Sequence, residues 1–284
     1  MKSVQDTYRL ANGVHIPCVG FGTWQTPDGE VAVASVKAAL KAGYRHIDTA
    51  SAYDNEKSVG EAVRESGLKR EEVFVTSKLF NPDHGYERTL RAFDLTMKEL
   101  GFDYLDLYLI HWPNPIHFRN SWKQANAGSW KAFEELYAKG RIRSIGVSNF
   151  RPHHLSALLE TAKVVPMVNQ IRLCPGDVHK ETVEFCLKHE ILLEAYSPLG
   201  LGRITDVPQV NTIAQKHGKS AAQVALRWSL QKGFLPLPKS VTPQRIVENA
   251  QLFDFELTAE DMAAIDGLAP GVCGVATDPD NARF

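Results

Sequence analysis

Eight short apolar runs alternate with amphipathic segments, and each run is followed at once by a polar or aromatic side chain. That alternation predicts an α/β fold of the (β/α)8 (TIM) barrel type, whose usual length of about 250 residues leaves room in 284 for more. The additions are an N-terminal β-hairpin, signalled by Asn12-Gly13 between short apolar segments, and a non-helical C-terminal tail over 270–284. No glycine-rich or proline-rich linker divides the chain, so residues 1–284 are read as a single domain.

After the hairpin, the first strand is expected over Val19–Gly22. Val33, Val36, Ala39 and Leu40 then recur at helical spacing, closed by Gly43, and a second strand starts with Tyr44 and ends at Asp48. Further strands are expected over 73–78, 104–110, 142–147, 167–171, 192–196 and 235–238. Helical stretches between them include Leu155, Leu158 and Leu159 after Pro152, and Val224, Leu226 and Leu230 ahead of Gly233. Trp112–Gly128 is too long for an ordinary strand-to-helix loop and reads as a pocket rim. Trp130 and Trp228 fall in helical patterns and read as core.

A formal net charge of -1 gives no basic excess for nucleic acid or an anionic membrane, and no stretch of about 18 apolar residues exists. Cys18, Cys174, Cys186 and Cys273 show no Cys-x-x-Cys spacing, which fits a reducing compartment better than a disulfide frame or zinc site. No metal is expected. Adjacent His153 and His154 are read as pointing to different sides of a helix. The first residues carry no apolar signal segment, so a cytoplasmic location is expected, and a monomer is expected as well.

In such a barrel the site lies at the carboxyl ends of the strands, so the residues that follow each run matter most. They are Trp24, Asp48, Lys78, His111, Ser148-Asn149, Gln170, Tyr196 and Lys239. Tyr53, just beyond Asp48, completes a unit with Lys78 and His111. A phenol has a reference pKa of about 10, and a nearby ammonium lowers it, so Lys78 is expected to tune Tyr53 with Asp48 as counter-ion. His111 would orient a substrate oxygen. Such a set can protonate a carbonyl oxygen as hydride reaches carbon, and it contains no nucleophile-base pair.

The hydride donor would not sit in a Rossmann site. Gly20-Phe21-Gly22-Thr23-Trp24-Gln25 lacks the third glycine and opens no helix. Pro238-Lys239-Ser240-Val241-Thr242-Pro243-Gln244-Arg245 serves better: Thr242 as N-cap, Pro243 at the first helical position and Arg245 where acids are usual. Basic residues there make sense if a ligand phosphate supplies the negative charge.

These residues together resemble the aldo-keto reductases, over nearly the whole chain. The matches are Gly-Thr-Trp at 22–24, His-Ile-Asp-Thr-Ala at 46–50 with Tyr53, Ser77-Lys78, His111-Trp112-Pro113, Gly-Val-Ser-Asn-Phe at 146–150, Asn169-Gln170, Tyr196-Ser197-Pro198-Leu199-Gly200 and Pro-Lys-Ser-Val at 238–241. The resemblance implies Tyr53 as proton donor with Asp48, Lys78 and His111 in support, and NADPH/NADP+ as cofactor. By it, Gly22, Thr23 and Trp24 border the cofactor, Ser148, Asn149 and Gln170 hold the nicotinamide amide, Tyr196 stacks on the ring, and Ser197 and Leu199 flank it. Lys239, Ser240, Val241, Thr242 and Arg245 would meet the 2′-phosphate, with Glu248 and Asn249 at the adenine.

Among members, the chain is most similar to prokaryotic-type enzymes such as diketogluconate and glyoxal or methylglyoxal reductases. Trp24, Tyr53, His111 and Trp112 would wall a pocket for a small aldehyde, ketone or dicarbonyl. Two stretches depart from the family pattern: Ile171-Arg172-Leu173-Cys174-Pro175 replaces Glu and His-Pro, and Leu199–Arg203 is short. A Schiff-base lyase using Lys78 or Lys239, and a non-catalytic nucleotide sensor, are the competing readings.

Overall fold

The structure, a computed structural model, describes residues 1–284. The chain opens with β1 (Thr7–Arg9) and β2 (His15–Pro17), antiparallel with Tyr8 opposite Ile16. Their connection is a three-residue loop, not the two-residue turn that Asn-Gly most often makes. Leu10 and Val14 close it, the Gly13 N–H bonds back to the Leu10 carbonyl at 2.8 Å, and Gly13 adopts φ 86°. Tyr8 Oη donates to the Phe234 carbonyl, which places the hairpin over the amino-terminal end of the barrel. That end is thereby closed, leaving the other for function.

Eight parallel strands follow, interleaved with helices. In order they are β3 (Phe21–Gly22), α1 (Glu30–Lys41), β4 (His46–Asp48), α2 (Glu56–Arg64), β5 (Phe74–Leu79), α3 (Tyr86–Leu100), β6 (Leu107–Ile110) and α4 (Trp122–Ala138). Then come β7 (Ile145–Ser148), α5 (Pro152–Leu159), β8 (Val168–Arg172), α6 (Lys180–Lys188), β9 (Leu192–Tyr196), α7 (Pro208–His217), α8 (Ala221–Gln231), β10 (Leu235–Leu237), α9 (Pro243–Glu248) and α10 (Ala259–Asp266). The ladder runs from β3 to β10 in sequence order, and the Gly20 and Gly22 amides bond to the Pro236 and Pro238 carbonyls at 3.1 and 3.0 Å, closing the cylinder. This is the expected TIM barrel, with all eight expected strands.

The strands are buried and largely apolar because helices cover their outer faces while their inner faces pack on each other. Trp130 and Trp228 are both fully buried in that core. The rim expected to be loop through Gly128 is partly helical: a 3-10 turn spans Ile116–Ser121 and α4 begins at Trp122. Gly128 is a close-approach residue rather than a turn residue, since a Cβ there would lie 3.1 Å from the Tyr86 amide nitrogen.

The tail contains no helix after Asp266 and folds back across the carboxyl end of the barrel. Phe284 packs edge-on against Trp112 with ring centroids 4.8 Å apart, and its carbonyl accepts from the Ile116 amide at 3.1 Å. Arg119 also donates to the Ala282 carbonyl. No helix is long and apolar enough to cross a membrane.

Candidate active site

Asp48, at the end of β4, and Lys78, near the end of β5, meet inside the barrel mouth. Lys78 is fully buried. Its ammonium donates to Asp48 Oδ1 at 2.7 Å, the Thr49 carbonyl at 2.8 Å and Tyr53 Oη at 3.2 Å. Three donors meet three acceptors, so a buried charge is fully satisfied. Burial alone would push the Lys78 ammonium down, but the Asp48 charge and Tyr53 outweigh it and hold its pKa above the ordinary value.

Tyr53 reaches this point from a one-turn 3-10 segment, Ser51–Tyr53, stopped by Asp54 at φ 55°. Asn55 steadies the segment. It accepts from Thr49 Oγ1 at 2.7 Å and donates to the Thr23 and Thr26 carbonyls, so the loops after β3 and β4 share one tie. The His111 ring stands edge-on to Tyr53 with centroids 5.7 Å apart. Burial and the Lys78 charge hold His111 well below the usual imidazole range, so it is neutral at pH 7.

One expectation changes sign. The phenol of Tyr53 lies above its ordinary value, because burial raises it more than Lys78 lowers it, and Asp48 also raises it. The resting side chain is therefore a firmly held phenol.

The other expected cofactor residues line the same rim. Ser148 Oγ donates to the Gln170 carbonyl at 2.8 Å, and Asn149 Nδ2 donates to the His111 carbonyl at 3.0 Å. Tyr196 Oη donates to Asn149 Oδ1 at 2.8 Å. Asn149 and Ser197 hold left-handed φ of 63° and 47°, strain that gathers just past the strand ends. Trp24 is 45% exposed beside this opening, which leaves an aromatic face free for a ligand.

Beyond β10, Lys239 reaches across to the Gln25 carbonyl at 3.0 Å, and Ser240 Oγ accepts from the Thr242 amide at 3.0 Å. Thr242 is the N-cap residue of α9 with Pro243 in its first turn, yet its side chain makes no capping bond. Arg245 and Lys239 are exposed and form no ion pair with a carboxylate, and Arg245 and Glu248 border one surface depression. Val241 is exposed and Asn249 buried beside them. Leu199 and Gly200 begin a short turn on the rim, and a Cβ on Gly200 would meet Cys273 at 2.5 Å, so the tail seals the outer side of that loop.

The departure at Ile171–Pro175 now has a physical account. Arg172 pairs with Asp177 and donates to the Cys273 and Gly274 carbonyls at 2.6 and 2.9 Å, fastening the tail to the end of β8. The expectation for His153 and His154 is overturned. Their ring centroids lie 3.8 Å apart, and both Nε2 atoms reach Asp280 Oδ1, at 3.1 and 2.9 Å. Both sit in the first turn of α5, where the returning tail brings one acceptor within reach of two adjacent positions. The three could face one ion. However, His154 Nδ1 accepts from the Arg151 amide, which puts the ring proton on Nε2 and leaves that atom no lone pair for a metal.

Sequence reasoning missed Asn55, Arg172 and two buried acids, Glu56 and Glu194. Burial lifts Glu56 to about 7 and Glu194 to about 8. Burial also depresses His46 to about 3, and His84 and His154 to about 4. The signs oppose one another. Below about pH 6.5 the unfolded chain binds protons that the buried histidines refuse, so stability rises with pH. From about pH 4.5 to 8 the unfolded acids are ionised while Glu56 and Glu194 still hold protons, which opposes that rise, and above about pH 6.5, where the histidines no longer contribute, stability falls with pH. Denaturant titrations from pH 5 to 8 should therefore show maximum stability near pH 6.5; a monotonic rise to pH 8 would contradict the assignment of neutral buried acids.

The model of the Aldo/keto reductase family matches residues 18–270. A glyoxal reductase from Bacillus subtilis (strain 168) is 50% identical over 282 residues, covering 99% of each chain. The crystal structure of an aldo/keto reductase from Brucella melitensis superposes with a TM-score of 0.88 at 48% identity, covering 94% of this chain and 98% of that one. A structure of a Gox0644 point mutant in complex with NADPH does so with a TM-score of 0.90 at 40% identity, covering 99% of each. A barrel oxidoreductase acting on carbonyl groups is the class these findings define. The chain belongs to the aldo/keto reductase family.

Proposed function

We propose that the protein reduces small aldehydes, ketones or dicarbonyls to alcohols with NADPH, Tyr53 acting as general acid. The observation that carries this reading is the phenol of Tyr53 held 3.2 Å from a fully buried, fully hydrogen-bonded ammonium at the barrel mouth. NADPH, when bound, supplies the hydride. Every other part belongs to the chain. A carbonyl oxygen seated between Tyr53 and His111 gains negative charge as its carbon is reduced, and Tyr53 Oη delivers the proton. The phenolate left behind faces Lys78, whose charge Asp48 maintains, so the ion pair stabilises charge that develops only during the reaction.

The cofactor fits the residues present. Ser148, Asn149 and Gln170 would hold the carboxamide of the nicotinamide, Tyr196 its ring, and Gly22, Thr23, Trp24, Ser197 and Leu199 the adjoining span. Lys239, Ser240, Val241, Thr242 and Arg245 would take the 2′-phosphate, with Glu248 and Asn249 at the adenine. The support is charge: two exposed cations without carboxylate partners suit a ligand phosphate. The Bacillus subtilis relative named a glyoxal reductase makes 1,2-dicarbonyls the first substrates to test.

The test is a carbonyl panel led by glyoxal and methylglyoxal, read as oxidation of NADPH and of NADH. A Lys239→Ala/Arg245→Ala variant should bind NADPH about 10–100-fold more weakly, with NADH little changed. Equal losses for both would remove the 2′-phosphate assignment. The lyase reading through Lys78 is disfavoured because all three Lys78 N–H donors are engaged and its charge is stabilised, whereas Schiff-base formation needs a free amine. Borohydride trapping with a carbonyl substrate should give no adduct. We also propose a cytoplasmic monomer; four unpaired, buried thiols support a reducing compartment.

A further inference from the structure

Below the Asp48–Lys78 pair, inside the barrel, lies a second acid that the reaction described above does not use. Glu194 stands in the middle of β9, fully buried, opposite Gln170 of β8 in the ladder. Gln170 Nε2 donates to Glu194 Oε2 at 2.8 Å and to Asp48 Oδ2 at 2.8 Å. A side-chain amide nitrogen has two hydrogens, so both are committed. The reversed amide would set its carbonyl oxygen against the Asp48 carboxylate, which fixes the orientation by chemistry. Gln170 Oε1 then accepts no hydrogen bond within the protein and is not sealed from solvent.

We propose that Glu194 is a positioning residue for the reaction: by accepting from Gln170 Nε2 it locks the amide so that Gln170 presents its carbonyl oxygen to the carboxamide N–H of the nicotinamide. The inference rests on the reading of Gln170 as a nicotinamide ligand. Asp48 alone cannot impose the lock, because its Oδ1 is taken by Lys78 and one hydrogen bond leaves the amide free to twist about it. With both carboxyl groups in place, Glu194, Gln170, Asp48, Lys78 and Tyr53 form one unbroken hydrogen-bonded chain, from the barrel interior to the proton donor.

Glu194 performs this task uncharged. The groups that face it are Asp48 and His46 of β4, Lys78 of β5 and Gln170 of β8. Lys78 is the single cation among them and is already matched by Asp48; His46 is neutral. Burial and the Asp48 charge therefore keep the Glu194 proton on up to about pH 8. The proton belongs on Oε1, which has no hydrogen-bond partner and lies 3.9 Å from His46 Nε2, leaving Oε2 to accept. Glutamine reproduces that uncharged acceptor and leucine does not.

The test compares Glu194→Leu, Glu194→Gln and Gln170→Ala in binding NADP+ and adenosine 2′,5′-bisphosphate, which carries the phosphate end and no nicotinamide. Glu194→Leu is expected to weaken NADP+ about tenfold, roughly one hydrogen bond, and to lower kcat, with bisphosphate affinity unchanged. Glu194→Gln should recover most of both losses. In the Gln170→Ala background Glu194→Leu should add nothing. If Glu194→Leu does not fold, Glu194→Asp, which keeps the carboxyl but withdraws it from Gln170, is read the same way. Wild-type NADP+ affinity and kcat in Glu194→Leu would overturn the proposal, as would equal weakening of both ligands or no recovery in Glu194→Gln. Unchanged NADP+ binding in Gln170→Ala would instead overturn the reading of Gln170, and the role of Glu194 with it.

Discussion

Replacing Tyr53 with phenylalanine is expected to lower kcat/KM for a carbonyl substrate by about 10²–10⁴-fold while NADPH binds with near wild-type affinity. The geometry makes the substitution clean. Tyr53 is partly exposed on a one-turn segment held by Asn55, and none of the Asn55 hydrogen bonds involves the phenol. The ring that remains still stands edge-on to His111. Lys78 loses one of three acceptors but keeps Asp48 and the Thr49 carbonyl, so the ammonium stays charged. What disappears is the one hydroxyl beside Lys78 with a proton to give. Because burial holds the phenol above its ordinary value, the wild-type acid stays loaded through neutral and mildly alkaline pH, and reduction should fail only as pH rises through that elevated value. Steady-state rates with a dicarbonyl, set beside fluorescence titration of NADPH, separate the two effects. Wild-type turnover in the variant would give the proton to another group, and lost cofactor affinity would make Tyr53 a binding residue.

What the sequence made legible follows from how a barrel is built. Its strands are buried on both faces, so they read as apolar runs, and a charge that closes such a run stands out: Asp48 and Lys78 were visible for that reason. Glu194 was harder to see. It lies within Leu-Leu-Glu-Ala-Tyr, two residues before Tyr196, and the strand-end rule passes over a charge in mid-strand. The usable signal was an acid on the inward parity of a run otherwise apolar up to Tyr196. Asn55 was hidden differently, since an Asn before a helix reads as an N-cap, whereas here its side chain makes no cap bond and ties two loops instead. Arg172 and the His153–His154 pair depend on where the tail returns, a contact more than 100 residues away in the chain, and no local spacing encodes that. The sign of the Tyr53 shift was also out of reach, because it depends on how deeply the mouth buries the phenol.

Replacing Lys78 with methionine is expected to lower both stability and turnover, and a second substitution separates them. The side chain is fully buried and its partner Asp48 nearly so, at 4% exposure. Removing the ammonium leaves a buried carboxylate with Gln170 Nε2 as its remaining side-chain donor, and breaking a buried pair from one side costs about 3–5 kcal/mol. Turnover should fall about 10²–10³-fold for a separate reason, since the charge facing the developing phenolate is gone. Asp48→Asn/Lys78→Met removes the orphaned charge as well. In that double variant most of the lost stability should return, because neutral groups of similar shape now fill the site, while turnover stays low. Denaturant unfolding reads the first quantity and steady-state kinetics the second. If stability and turnover returned together, the defect in Lys78→Met would be one of folding, and the electrostatic role assigned to Lys78 would be lost. If stability did not return either, the loss in Lys78→Met would come from something other than the orphaned Asp48 charge.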